Sequence, residues 1–227
     1  MDKGKQNIGH RRRIRDKFLK AGGDGWHDYE LLELLLAYAI PRRDVKPLAK
    51  ELIARFGGLS GVMDATADEL RKIPGVGASA AGLIKLNRAI NESCLAAGMS
   101  GRDVLSCPRA VLDFARAKLA GLPHESFLCI YLNARNEVLG HRIVASGTVD
   151  RAAVYPRRII EEALACHAAG MIMVHNHPSG HCQPSPEDRA LTESISGVAH
   201  KMDLKVLDHI IVGRAGYFSF AEKNLLP

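Results

Sequence analysis

The hydrophobic positions of this chain follow two different periods, and the change falls near its middle. Up to about residue 97 the spacing is helical. The stretch "DYELLELLLAYAI" (28–40) is apolar nearly all round, which predicts a buried helix that stops before Pro41. In "DVKPLAKELIARFGG", Leu48, Leu52, Ile53 and Phe56 share helical spacing, and Gly57-Gly58 supply a C-terminal cap. "TADELRKI" opens with a capping box, Thr66 with Glu69, and a further helix is expected over residues 79–97. Nothing in this half reads as a strand.

The stretch "AAGMSGRDVLSCP" (96–108) mixes Gly, Ser, Asp and Pro, as a linker does. Beyond it the period changes. "FLCIYLN" and "EVLGHRIVAS" predict two strands joined by the turn Ala134-Arg135-Asn136-Glu137. "PRRIIEEALACHAAG" is helical, with Pro156 near its first turn, and "MIMV" is a short buried strand. "SPEDRALTESISGVAHKM" predicts a helix, "KVLDHIIVG" a strand, and "RAGYFSF" a turn and a final edge strand. The fold class is mixed α/β. A tail (1–20) and a helical module (21–97) are followed by a linker (98–107) and an α/β domain (108–227).

Composition narrows the class. Of 227 residues, 47% are hydrophobic and 25% charged, which suits one or two soluble globular domains. No apolar run approaches the ~20 residues of a membrane helix. The amino terminus is basic but lacks the apolar stretch of a secretory signal, so a cytoplasmic location without a membrane partner is the expectation. Five scattered cysteines with no C-x-x-C pair argue against a disulfide framework and against a cysteine-rich zinc site. The formal charge of +6 is concentrated: residues 1–20 carry eight Lys/Arg against two Asp. This tail, which includes Arg11, Arg12 and Arg13, has the composition to track nucleic-acid phosphates, and equally that of a solvated basic end.

Between the last two helices of the first half lies "IPGVGASAAGLI" (73–84), in which Gly75 and Gly77 flank a valine in a tight turn. Glycine tolerates positive φ and leaves backbone N–H groups bare, and the following helix directs its positive dipole end to the same spot. A phosphate fits there without side-chain charge. The turn resembles the helix-hairpin-helix motif, which implies contact with DNA backbone regardless of sequence. A plain packing turn between helices is the alternative, since the surrounding module is slightly acidic.

The densest chemistry sits in "MIMVHNHPSGHCQPSPEDRAL" (171–191). His175 and His177 stand two apart on an extended segment, so their side chains leave the same face. Pro178 stops the strand, Gly180 lets the backbone turn, and Asp188 follows after a loop long enough to bring a carboxylate back. Two neutral imidazoles and one carboxylate make a three-ligand set that leaves a fourth tetrahedral position for water, and this N/O set favours Zn²⁺, one per chain. Each member also has a duller role. Ser185-Pro186-Glu187-Asp188 is a good helix start, with Ser185 as N-cap and Asp188 closing a capping box.

The pattern H-x-H-P-x6-S-x-x-D, carried by His175, His177, Pro178, Ser185 and Asp188, resembles the JAMM signature of MPN-domain metalloproteases. The wider match "VHNHPSG…PSPED…LDHIIVG", preceded by the hairpin, resembles the RadC family of bacterial proteins over nearly the whole chain. That resemblance implies an all-helical helix-hairpin-helix module followed by an MPN (JAMM) domain. It also implies a glutamate near the first core strand, and the matching position is Glu125 in "HESFLCIYLN"; by spacing alone Glu161 or Glu162 compete. On this basis Glu125 would be the general base, Ser185 would hydrogen-bond the developing oxyanion, and the product would be a cleaved amide, peptide or isopeptide. His181 and Cys182 depart from the acidic or small residues usual in that loop. They are spectators, or Cys182 is a fourth ligand that closes the site. The competing class is a DNA-associated scaffold, since the family is traditionally tied to DNA repair. A two-metal nuclease is disfavoured by the single carboxylate ligand, and the His-Cys-Cys pattern of base deaminases is absent.

Overall fold

Seven helices precede the first strand in this computed structural model, which describes residues 3–147, 154–213 and 216–227. The chain divides into two compact units, Met1–Ile90 and Asn91–Pro227. In the first, α1 (Lys3–Ala21), α2 (Asp28–Ala39), α3 (Lys46–Phe56), α4 (Leu59–Asp64) and α5 (Ala67–Arg71) are followed by α6 (Ala78–Met99), which runs through the division. α2 buries Leu32, Leu34 and Leu36, and α3 buries Leu48, Ala49 and Leu52. A fully buried leucine contributes roughly 1.5–3 kcal/mol, so this short-helix unit has a core of its own. α3 ends at Gly57 with φ 74°, the left-handed cap expected there. At α5, Thr66 and Glu69 make both bonds of the capping box.

The basic amino terminus departs from a free arm. Residues 3–21 are helical, and two side chains tie α1 to α2. His10 Nε2 lies 2.7 Å from Glu33 Oε1, which partners a carboxylate only 3% exposed. Arg11 reaches the carbonyls of Ala37 at 3.1 Å and Ile40 at 2.6 Å, and also that of Arg43. A cation there satisfies the orphan carbonyls at the end of α2 and complements its dipole.

The second unit is a layered α/β domain. Its elements are α7 (Pro108–Leu119), β1 (Ser126–Leu132), β2 (Val138–Ser146), α8 (Pro156–Ala165), β3 (Gly170–Asn176), α9 (Pro186–Lys201), β4 (Lys205–Val212) and β5 (Tyr217–Ser219). The strand order is β2-β1-β3-β4-β5, antiparallel except for the parallel pair β3–β4 that α9 connects. β1 alternates between two cores. Leu128, Ile130 and Leu132 face α7, while Phe127, Cys129 and Tyr131 face α8 and α9. β3 is buried along its whole length, which explains its unbroken apolar run.

Two features of this unit differ from the sequence reading. The stretch 98–107 is built into the domain rather than spacing it. Ser100 and Asp103 bridge to Val138 and Glu137, and Met99 and Val104 are buried in the core. α7 was not expected at all, although Val111, Phe114, Ala115 and Leu119 show helical spacing and are buried. The turn expected at Arg214 and Ala215 lies outside the described residues. Among the described residues no helix is long and apolar enough to cross a membrane.

Candidate metal centre

β3 ends by delivering three consecutive side chains to two different places. His175 and His177 emerge on the α9 side, while Asn176 points to the opposite face. His175 pairs across the ladder with Phe127, and the two rings stack with centroids 5.9 Å apart. Past the strand, the backbone N–H of His177 still donates to Val212 (3.1 Å), and Gly180 N–H donates to His177 O (2.9 Å) as the chain turns. Gly213 makes room for this loop, since a Cβ there would stand 2.6 Å from Gly180 O and 2.8 Å from Cys182 Sγ.

α9 supplies the third member. Ser185 Oγ accepts from Asp188 N–H at 3.1 Å, and Asp188 Oδ2 accepts from Ser185 N–H at 2.8 Å and Ser185 Oγ–H at 2.7 Å. Asp188 is therefore cap and candidate ligand together. The cap holds Oδ2 and aims Oδ1 at His175 Nε2, 3.1 Å away, while His177 Nε2 lies 3.4 Å from Oδ2. The two Nε2 atoms are 3.0 Å apart. One donor atom from each of the three residues fits within 4.8 Å of the others, a spacing and chemistry suited to a small cation.

The electrostatics of the cluster are strongly coupled. Burial works to raise the Asp188 carboxyl, but hydrogen bonds from His175, His177 and Ser185 outweigh it and hold the carboxyl far below its ordinary range. His177 is raised, chiefly by its bond to Asp188 and against the effect of burial, with help from the His181 carbonyl and the charges of Asp188 and Glu125. Fully buried His209 is driven well below the ordinary imidazole value by desolvation and by neighbouring His175.

Several residues around the cluster escaped the sequence reading. His177 Nδ1 lies 2.7 Å from His181 O, and His175 Nδ1 lies 2.9 Å from His209 Nε2. Thr192 Oγ1 is 2.6 Å from both His209 Nδ1 and Asp188 O. Asn176, with no exposed surface, accepts from Ser126 N–H at 2.8 Å and donates to His124 O at 3.1 Å and Leu122 O at 3.4 Å. It fastens the segment that carries Glu125 to the end of β3. Thr192 could have been found as the i+4 neighbour of Asp188 on one helix face. His209 had only its oddity, an imidazole inside the apolar run of β4.

Other candidate residues are placed as follows. Glu125 directly precedes β1, its carbonyl bonded by Gly147 N–H, and its charge reaches His177. Glu161 pairs with Arg157 at 2.7 Å and Glu162 with Arg142 at 3.0 Å, both on α8. Cys182 packs against Ile211, Phe218 and Phe220, turned into a small apolar cluster. In the first unit Val76 is buried and anchors the hairpin, Gly75 has φ 96°, and the Arg43 guanidinium covers the place a Gly75 Cβ would take. A Cβ on Gly77 would meet only open space. Arg12 and Arg13 are exposed on α1, whereas Arg11 is engaged at the end of α2.

Comparison with known proteins bears on both halves. A family model described as a RadC-like JAB domain matches residues 105–225, and one described as UPF0758 N-terminal matches residues 6–82. A UPF0758 protein of Fusobacterium nucleatum subsp. nucleatum is 38% identical, covering 98% of this chain and 99% of its own length. UPF0758 proteins of Rhodobacter capsulatus and Methylibium petroleiphilum are also 38% identical, each covering 94% of this chain, and 100% and 96% of their own lengths.

Proposed function

The chain belongs to the RadC-like JAB-domain family, and from that premise we propose that it is a zinc-dependent hydrolase of amide, peptide or isopeptide bonds, associated with DNA through its helical amino-terminal half. The observation that carries the first part is the convergence of His175, His177 and Asp188 at the end of a buried strand, within reach of the Glu125 charge. His175 Nε2, His177 Nε2 and Asp188 would hold the zinc ion, and Cys182 is turned away into its apolar cluster. A zinc ion held there supplies a water whose pKa is lowered to about 7.

The chain's own groups perform the proton transfers. Glu125 accepts the proton of the attacking water and returns it to the leaving amine. Ser185 Oγ–H donates to Asp188 in the resting arrangement. The same hydroxyl would turn to the substrate's carbonyl oxygen as negative charge develops there.

DNA association is supported by a juxtaposition within the first unit. Arg11 bonds the Arg43 carbonyl, and the Arg43 guanidinium stands over Gly75, so the basic helix and the glycine hairpin are linked through one residue. Bare amides, a helix N-terminus and nearby guanidinium groups suit a phosphate backbone and no particular base sequence.

The test is cleavage of a mixed peptide and isopeptide library by the zinc-loaded chain and its Glu125→Gln variant. The variant should keep its zinc and its melting temperature and lose roughly 10²–10⁴ in rate, the usual worth of a general base. An unchanged rate places the base elsewhere. If Glu125→Gln and a zinc-free Asp188→Ala variant both support the cellular function, the site is architectural and the protein a scaffold.

A further inference from the structure

His209 lies in β4, far from His175 in sequence, yet it is the partner of the one ring nitrogen of His175 that does not face the candidate metal position. Its ring has no exposed surface and is enclosed by Phe127 and Phe220, with centroids 5.5 and 5.0 Å away. Its two nitrogens each have one neighbour, His175 Nδ1 at 2.9 Å and Thr192 Oγ1 at 2.6 Å. Thr192 Oγ1 in turn sits 2.6 Å from the Asp188 carbonyl.

The direction of every bond in this chain follows by elimination. A backbone carbonyl only accepts, so the Thr192 hydroxyl proton goes to Asp188 O. Thr192 Oγ1 then has lone pairs left for His209, so His209 Nδ1 carries the proton and donates. A neutral imidazole with its proton on Nδ1 has a bare Nε2, which accepts. His175 Nδ1 must therefore carry the proton it donates to His209. A cation held between His175, His177 and Asp188 would therefore meet His175 Nε2 as the bare nitrogen, in place of the hydrogen bond that Asp188 Oδ1 otherwise shares with it.

We propose that Thr192 and His209 are positioning residues of the metal centre, a directed relay by which the backbone of one ligand, Asp188, sets the tautomer of another, His175. This rests on the reading of His175 and Asp188 as zinc ligands. It gives the two ligands on β3 different supports. His177 is oriented by the His181 carbonyl, an exposed loop group, whereas His175 is oriented by a buried imidazole whose own tautomer is fixed one residue further back. Without the relay, His175 is free to place its proton on Nε2, a form that cannot bind a cation, or to rotate out of alignment. Outer-shell partners of ligating histidines are typically worth 10–100-fold in metal affinity.

The test is zinc affinity of the full chain by chelator competition, with the thermal melt of each variant as a check on folding. His209→Phe fills the space but accepts no hydrogen bond, and should weaken zinc about 10–100-fold. His209→Gln can present an oxygen near the Nε2 position, and should recover most of that loss. Thr192→Val removes the hydroxyl at nearly constant shape and should fall between. A ¹⁵N spectrum of the zinc-loaded wild-type chain should show His175 protonated at Nδ1, with its proton signal displaced in Thr192→Val. If His209→Phe does not fold, the Gln and Val variants carry the same comparison. Wild-type affinity in both His209→Phe and Thr192→Val overturns the relay, as does a Gln variant no better than Phe. If the wild-type chain itself binds no zinc, the metal reading fails first and the relay falls with it.

Discussion

At the hairpin of the first unit the surface proposed to meet DNA is backbone, whereas at the candidate metal centre it is side chain throughout. Gly77 leaves open space where a Cβ would stand and Gly75 sits at φ 96°, so the hairpin depends on atoms that are missing. At the metal centre each imidazole aims one nitrogen at the cluster and has its other nitrogen already bonded, His177 to the His181 carbonyl and His175 to His209. The first kind of site should be most sensitive at the glycines. The second should be sensitive at residues that never touch the ligand.

Asn176→Leu tests that contrast where the effect is largest. The substitution strands the buried Ser126 amide and takes the Asn176 donor from the part-buried His124 and Leu122 carbonyls. Each buried group left unbonded costs roughly 1–3 kcal/mol. The variant should melt well below wild type, keep its ligands, and lose hydrolysis because Glu125 is no longer held. A wild-type melt and rate would show that the loop is fixed by something else.

The hairpin gives the next largest effect and splits its two glycines. Gly75→Val forces a β-branched residue to φ 96° against Arg43, at a cost of about 1–3 kcal/mol. A Cβ at Gly77 meets nothing, so Gly77→Val should cost less stability than Gly75→Val. Both should weaken binding to random-sequence DNA at low salt. If Gly77→Val binds as wild type does, the amides of this turn do not face the phosphates.

The smallest effect separates three adjacent arginines. Arg12→Ala and Arg13→Ala remove exposed cations, and each should reduce the slope of log K against log salt by about 0.9 while leaving the melt unchanged. Arg11→Ala should instead lower the melt, because it uncaps the carbonyls of Ala37 and Ile40. Equal salt effects from all three would argue that α1 detaches from α2 on binding.

Much of this was legible in the chain because the signals were local. The capping boxes at Thr66 and Ser185, the Gly57 cap and the strands from β1 to β4 follow from spacing within a few residues. The cluster of His175, His177 and Asp188 was readable for the same reason. What stayed hidden depends on partners far apart. Asn176 acts on residues 122–126 and His209 on His175, contacts that exist only once β1, β3 and β4 lie side by side. The helical state of the basic segment is hidden in the same way, because its two ties, His10 to Glu33 and Arg11 to the end of α2, cross more than twenty residues. α7 is different: its helical spacing is present in "PRAVLDFARAKL", directly after a stretch with the composition of a linker.

The proposed zinc centre is made by three side chains of one chain, and elemental analysis of the purified chain after zinc loading and desalting counts its metal. About one zinc per chain is expected, falling towards zero in His175→Ala, His177→Ala and Asp188→Ala and unchanged in Cys182→Ala. A full complement of zinc in Asp188→Ala, together with its loss in Cys182→Ala, would contradict the account.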